Sequence, residues 1–309
     1  METGKILAVC MSHEKGTQKV PEEKVLLQAD WGLSGDAHAG HWHRQVSLLS
    51  AEKIEEFRAR GAEVGFGAFG ENLVVSGIDL RGLPVGTRLS VGACLLEVTQ
   101  IGKDCHSHCA IFQKVGDCIM PREGIFARVL KGGSVRPGDL VTVLPADPER
   151  PFTAAVITLS DRASAGVYED KSGPVIREIL EREGYDIVES LLLPDGRERL
   201  SRELRRLADQ RQVNVVFTTG GTGFGERDET PEATVEVCDR MADGITQAIL
   251  VKSLPITPHA MLSRQRAGIR KKTLILNLPG SPKACREDLE IVLPALKHGL
   301  GVLRGTADG

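Results

Sequence analysis

The stretch TTGGTGFGERDETPEAT, from Thr218 to Thr234, constrains the fold of this chain more than any other. Before it, Val213-Asn-Val-Val-Phe217 is short, apolar and β-branched, which predicts a buried strand. After it, Glu232 to Met241 carries apolar residues at helical spacing. Thr230 suits the helix cap, Pro231 the first turn and Glu232 the positive end of the dipole. The segment therefore reads as strand, glycine turn and helix N-terminus. Gly220, Gly221 and Gly223 permit backbone conformations closed to other residues and let main-chain N–H groups approach a ligand. A phosphate fits such a turn. Asp228 and Glu229 follow at once and would repel a bare phosphate. A cation between them is expected, and Mg²⁺ is the usual one for a nucleotide.

At 309 residues the chain is long for one domain and comfortable for two. Val141-Thr-Val-Leu144 ends one pattern, residues 145–151 form a proline-rich polar linker, and Ala154 to Leu159 starts a fresh strand. Domains are expected over residues 1–147 and 148–309. The first reads as β-rich, with alternating runs at Lys5–Val9, Lys24–Leu27, Gln45–Leu49, Asn72–Val75, Thr87–Val91, Cys94–Thr99 and Leu140–Leu144. A barrel or folded antiparallel sheet follows from that pattern. Ala51 to Arg60 interrupts it as a helix, capped by Ser50 and stopped by Gly61, and Gly124 to Leu130 reads as a second short helix.

The second domain alternates. A helix from about Gly173 to Glu183, capped by Ser172, follows the first strand. Then come strand Ile187–Leu193, helix Arg199–Ala208, the central strand and its helix, strand Thr273–Leu278 and a last helix over Lys283–Leu293. Such alternation predicts a mostly parallel sheet in a three-layer α/β/α arrangement, with ligands beyond the carboxyl ends of the strands.

A net charge of −3 and 4% aromatic residues argue against nucleic acid as a partner. No apolar run is long enough for a membrane, and Met1 to Ile6 does not read as a signal peptide. Seven unevenly spread cysteines favour reduced thiols in a cytoplasm over a disulfide framework.

The glycine turn matches neither GxxxxGK[ST] nor the dinucleotide fingerprint. Taken whole, it closely resembles the signature of the molybdopterin adenylyltransferases, the MogA/MoaB-type family also found in gephyrin. Three other strand-end segments agree in order and spacing: Ser160-Asp161 onward, Pro194-Asp195, and Asn277-Leu-Pro-Gly-Ser-Pro282. The resemblance implies MgATP-dependent adenylylation of molybdopterin with release of pyrophosphate. Asp195 and Asp228 occupy the positions of the family's catalytic aspartates, with metal coordination as their natural role. Ser160, Asp161, Thr219, Gly220, Gly221, Thr222, Gly223, Arg227 and Thr230 would line the nucleotide and molybdopterin site. Pro279, Gly280 and Ser281 would add a second anion site. The basic run Arg264, Arg266, Arg270, Lys271 and Lys272 either reaches the anionic pterin or is merely solvated. One stretch departs from the family: Gln247 and Leu250 stand where a glutamate and an arginine are expected.

In the first half, Gly35 to Arg44 is dense in histidine, and Gly102 to Cys109, with Cys118 beyond, holds three cysteines. Zinc ligation and inert buried thiols are both open readings. Together with Gly70-Glu-Asn-Leu73 and Leu83 to Gly92, these segments resemble the MOSC domain, a β-rich barrel associated with sulfur transfer to, or binding of, molybdenum cofactor. The resemblance implies one essential cysteine. By position Cys109 is the first choice and Cys105 the second, with Lys103, His106 and His108 able to favour the thiolate. His41, Arg44 and Asn72 are the expected contacts for an anionic ligand. The implied whole is a fusion protein of molybdenum or tungsten cofactor biosynthesis, a homo-oligomer with a trimer favoured, serving molybdo- or tungstoenzyme acceptors alongside other biosynthetic proteins. A non-catalytic cofactor carrier is the alternative.

Overall fold

The computed structural model describes residues 1–104 and 117–307. The chain divides into two compact units, Met1–Asp147 and Pro148–Gly309.

The strands of the first unit are β1 (Thr3–Met11), β2 (Val20–Glu22), β3 (Val25–Gln28), β4 (Gly32–Leu33), β5 (Val46–Ser50), β6 (Leu73–Ser76), β7 (Arg88–Val91), β8 (Cys94–Ile101), β9 (Ile125–Lys131), β10 (Gly133–Val135) and β11 (Leu140–Val143). Among the described residues, seven of them form a closed barrel in the order β11-β7-β8-β9-β5-β6-β1. Register Thr3↔Thr142 to Lys5↔Leu140 completes the ring. Period-2 alternation fills it: Leu48, Leu73 and Val75 face the barrel core, while Leu49 and Val74 pack with Ile54 and Phe57 of helix α1 (Ala51–Arg58). Ser50 caps α1, its Oγ accepting from Lys53 N at 3.4 Å. A short helix, α2, covers Met120–Glu123.

The expected helix over Gly124 to Leu130 is instead strand β9, antiparallel to both β5 and β8. Ile125 and Val129 are four apart, a spacing that serves a helix face and a strand face equally. Between two neighbouring strands only the extended form pairs the backbone, and Arg128 then meets Glu97 across β8 at 3.0 Å.

The second unit is a three-layer α/β/α domain. Strands β12 (Thr153–Leu159), β13 (Asp186–Leu193), β14 (Val215–Thr219), β15 (Arg240–Met241), β16 (Ala267–Arg270) and β17 (Thr273–Leu278) lie in the order β13-β12-β14-β17-β16-β15. The first four are parallel. The last two run antiparallel, and neither was legible as a strand. Helices are α3 (Asp161–Ser164), α4 (Ser172–Arg182), α5 (Arg197–Asp209), α6 (Thr230–Val237), α7 (Asp243–Ser253) and α8 (Pro282–Arg304). Ala154, Val156 and Phe217 pack with Ile176 of α4 and Leu289 of α8. Ala155, Ile157 and Val216 face the other way, against Leu204 of α5 and Ala233 of α6.

Three helices differ from expectation at their ends. Ser172 is the first residue of α4 and Lys171 holds the N-cap position, while the Asp170 carboxylate accepts from Ser172 N at 2.9 Å and Gly173 N at 3.1 Å. Thr230 is the first helical residue of α6, and the helix stops at Val237 because residues 240–241 join the sheet. Helix α8 continues to Arg304 through Pro294, its buried stripe Leu289, Val292, Leu296 and Leu300 holding it to the sheet.

Candidate functional site

Strand β14 is wholly buried between β12 and β17, so its carboxyl end is fixed from both sides. The chain leaves it through Gly220 and Gly221, with φ of +96° and +64°. A Cβ on Gly220 would lie 2.3 Å from Leu159 O, and one on Gly221 2.4 Å from Thr230 Oγ1. Both the conformation and the space exclude a side chain. Beyond the turn, Thr230 N donates to Gly221 O at 3.1 Å and Gly225 N to Asp228 Oδ2 at 2.9 Å. Arg264 clamps the loop from outside. Its Nε donates to Gly223 O at 2.7 Å, and its Nη atoms bond Asp228 O and Glu232.

The neighbouring strand ends converge on this turn. After β12, Asp161 N donates to Asp195 Oδ2 at 2.9 Å, and after β13, Asp195 N donates to Asp161 Oδ1 at 3.1 Å. Arg227, from the glycine loop, reaches Asp161 Oδ2 at 2.7 Å and also donates to Asp195 O. A Cβ built on Gly221 would stand 3.5 Å from Asp195 Oδ1, and one on Gly223 2.8 Å from Asp228 Oδ2. Both carboxylates thus stand close to the turn. Burial lifts the Asp195 carboxyl above its ordinary range, and the charges of Asp161 and Asp228 add to that lift. Ser160 Oγ lies 2.9 Å from the Tyr168 hydroxyl.

The exit from β17 closes the far side. Thr219 Oγ1 donates to Pro279 O at 2.5 Å, and Gly280 O accepts from Ser172 Oγ at 2.7 Å. A Cβ on Gly280 would be 3.6 Å from Gly220 Cα. Ser281 precedes α8 and forms no side-chain cap bond. Beneath them, buried Asn277 donates to Thr218 Oγ1 and Thr234 Oγ1 at 2.9 and 2.8 Å.

Among the described residues no group of three His, Cys, Asp or Glu side chains is arranged to hold a metal by itself. Asp195 and Asp228 supply hard oxygens beside the turn, which suits an ion carried in with phosphates and keeping waters.

Thr222, Gly223 and Pro279 also line a cavity of about 1100 Å³ that Asp195 and Asp228 do not line. Gln247 and Leu250, the two departures from the family pattern, line it too, as do Arg264, Gln265, Arg266 and Asp288. The basic run therefore splits. Arg264 and Arg266 face this cavity, whereas Arg270 and Lys271 pair with Asp209, at 3.0 and 2.9 Å. Asp288 was not singled out from the sequence. Its signal was there: an acid on the buried stripe Cys285, Leu289, Val292 and Leu296 of α8.

In the first unit, Cys105 and Cys109 lie outside the described residues. The strand that leads to them, β8, meets the histidine-rich loop: Gln100 Oε1 lies 2.8 Å from His43 Nε2. The Arg44 guanidinium stacks 4.8 Å from the Trp42 ring centroid and 5.5 Å from that of Phe126. His41 is exposed and pairs with Asp30 at 3.1 Å. Asn72 is buried with its whole amide engaged. Its Oδ1 accepts from Ser47 N and Oγ, and its Nδ2 donates to Cys10 O and Asp36 Oδ2. It braces the loop and has no donor left for an outside ligand. Asp36 pins the same loop through Lys19 Nζ at 2.6 Å and His38 N at 2.9 Å. Burial opposes its charge, but those bonds outweigh it and hold the carboxyl well below the ordinary range. Burial pushes the Cys10 thiol up to about 12 and those of Cys238 and Cys285 to about 11, and raises Cys94 as well.

Residues 155–298 match the family described as "probable molybdopterin binding domain", and residues 35–142 match the MOSC domain. The molybdopterin adenylyltransferase of Helicobacter pylori is 45% identical over 152 residues, 48% of this chain and 86% of that enzyme. The chain belongs to the molybdopterin adenylyltransferase family. It carries a MOSC domain ahead of the adenylyltransferase unit. Gephyrin of Dictyostelium discoideum is 42% identical over 165 residues, 50% of this chain and 23% of that protein. The solved MoaB structure from Thermus thermophilus has 42% identity, covers 50% of this chain and 98% of its own, and superposes with a TM-score of 0.49. No helix among the described residues is long and apolar enough to cross a membrane.

Proposed function

We propose that the second unit adenylylates molybdopterin. The observation that supports this reading is the closeness of Asp195 and Asp228 to the glycine turn, whose Gly220 and Gly221 have positive φ. A phosphate oxygen of molybdopterin attacks the α-phosphorus of ATP. The bond from that phosphorus to the bridging oxygen breaks, and pyrophosphate leaves. Main-chain N–H groups of the turn face the phosphates, and Arg227 adds a cation beside Asp161. Mg²⁺ held by Asp195 and Asp228 would offset the triphosphate's charge. The reciprocal bonds between Asp161 and Asp195 set both carboxylates before substrate arrives. Incubation of the full chain with ATP, Mg²⁺ and molybdopterin should release pyrophosphate, and binding without release would leave only a carrier.

The carrier remains the second reading, favoured by one observation: Gln247 and Leu250 remove two expected charges from the cavity wall. For the MOSC unit the proposal is cofactor binding or sulfur transfer through Cys109, with Arg44 as the anion contact. The reading covers a molybdenum and a tungsten cofactor alike. A homo-oligomer, a trimer in first place, is proposed from the exposed apolar side chains of Val251, Leu254, Ile256 and Met261. Cytoplasmic residence and delivery to molybdo- or tungstoenzymes complete the reading.

A further inference from the structure

Asp288 is an acid where a hydrophobic residue would pack. It lies on the stripe of α8 that faces the sheet and is 3% exposed. Gln265 Nε2 donates to its Oδ2 at 2.7 Å. Gln265 is itself fixed, donating to Asn277 O at 3.1 Å and accepting from Ser263 Oγ at 2.9 Å. No Lys, Arg or His among the described residues pairs with Asp288, and Arg264, on the same wall, is committed to Glu232. The second oxygen, Oδ1, takes no hydrogen bond from the described residues, and Asp288 borders the cavity. A nearly buried carboxylate with one oriented oxygen and one open oxygen is costly unless something else donates to it. Burial accordingly pushes its carboxyl up to about 6.

The cavity runs from Thr222, Gly223 and Pro279, which border the phosphate-binding turn, to Asp288. A substrate with its phosphate at the turn would extend its ring system into this space. The ring of molybdopterin is a pterin, whose pyrimidine edge presents an amino group beside a ring N–H. Two adjacent donors are what a carboxylate accepts best.

Resting on the adenylylation reading, we propose that Asp288 is a specificity-determining residue, held by Gln265, that accepts the amino and ring N–H donors of the pterin edge.

The test uses the full chain and two simple probes, hydroxymethylpterin and hydroxymethyllumazine, the second carrying a carbonyl in place of the amino group. Fluorescence titration at neutral pH should show the wild type binding the pterin at least about tenfold more tightly, the scale of one charge-assisted hydrogen bond. Asp288→Asn keeps an acceptor for Gln265 and should bind both probes alike. Equal affinity in the wild type, no binding of either probe, or a preference that survives in Asp288→Asn would each overturn the assignment. Pyrophosphate release from MgATP and molybdopterin, read on the same wild-type protein, separates the two readings. Release without pterin preference removes only Asp288, and pterin preference without release removes only the adenylyl transfer.

Discussion

Asp161 and Asp195, 34 residues apart, each donate a backbone N–H to the other's carboxylate, at 2.9 and 3.1 Å. Two like charges are thereby held side by side near a glycine turn that Asp228 also borders. Such crowding is stable only if donors or a cation offset it, and Arg227 supplies part of that offset.

Asp195→Asn and Asp228→Asn are each expected to lower adenylyl transfer at least about a hundredfold, the usual scale for a lost charge-stabilising group. Melting curves should match the wild type, since Asn can still accept from Asp161 N or Gly225 N. Normal pyrophosphate release by both variants would remove the assignment.

Arg264→Lys should loosen the glycine loop. A lysine cannot bond Gly223 O, Asp228 O and Glu232 together, because only the guanidinium fork reaches all three. The expected outcome is about a tenfold loss in kcat/KM for ATP and faster proteolysis between residues 222 and 229, measured with and without nucleotide.

Asp288→Asn should make the protein more stable at pH 7, by about 1–3 kcal/mol. Burial raises the folded carboxyl to about 6 from an ordinary 3.8, so the native state binds the proton more tightly than the unfolded chain. Stability tied to this group is complete at pH below the ordinary value and declines as pH rises through about 6. The gain from Asn should therefore vanish in acid. Urea titrations across that window check it, and a constant difference at every pH would count against it.

Cys109 should alkylate fastest of the seven thiols at neutral pH, with Cys105 next. Lys103, His106 and His108 flank them in sequence and favour a thiolate, while burial keeps Cys10, Cys94, Cys238 and Cys285 protonated. Peptide mapping ranks them. Joint protection of Cys105 and Cys109 that a chelator relieves would point to zinc instead.

Fragments 1–147 and 148–309 should each fold alone and melt cooperatively. Each has its own buried core, one inside the barrel and one on each face of the sheet. An unfolded fragment in circular dichroism would refute this.

The sequence by itself determined what depends on a few neighbouring residues. The glycine turn, the Ser50 cap, the apolar run of β12 and the helical stripe of α4 are such features, because backbone sterics and side-chain period act locally. The carboxylates Asp195 and Asp228 were legible because one follows β13, the other sits in the glycine loop after β14, and both match the adenylyltransferase signature. Only the tertiary structure decided which segments meet. It made Ile125–Lys131 a strand, since its spacing served either form and two waiting neighbours needed its hydrogen bonds. It carried α8 past Pro294, brought Arg264 to Gly223, 41 residues away, and brought Gln265 to Asp288. It also engaged the Asn72 amide with Ser47, Cys10 and Asp36. Those outcomes depend on groups far apart in the chain, whose energies exist only once the sheet and barrel have brought them within bonding distance.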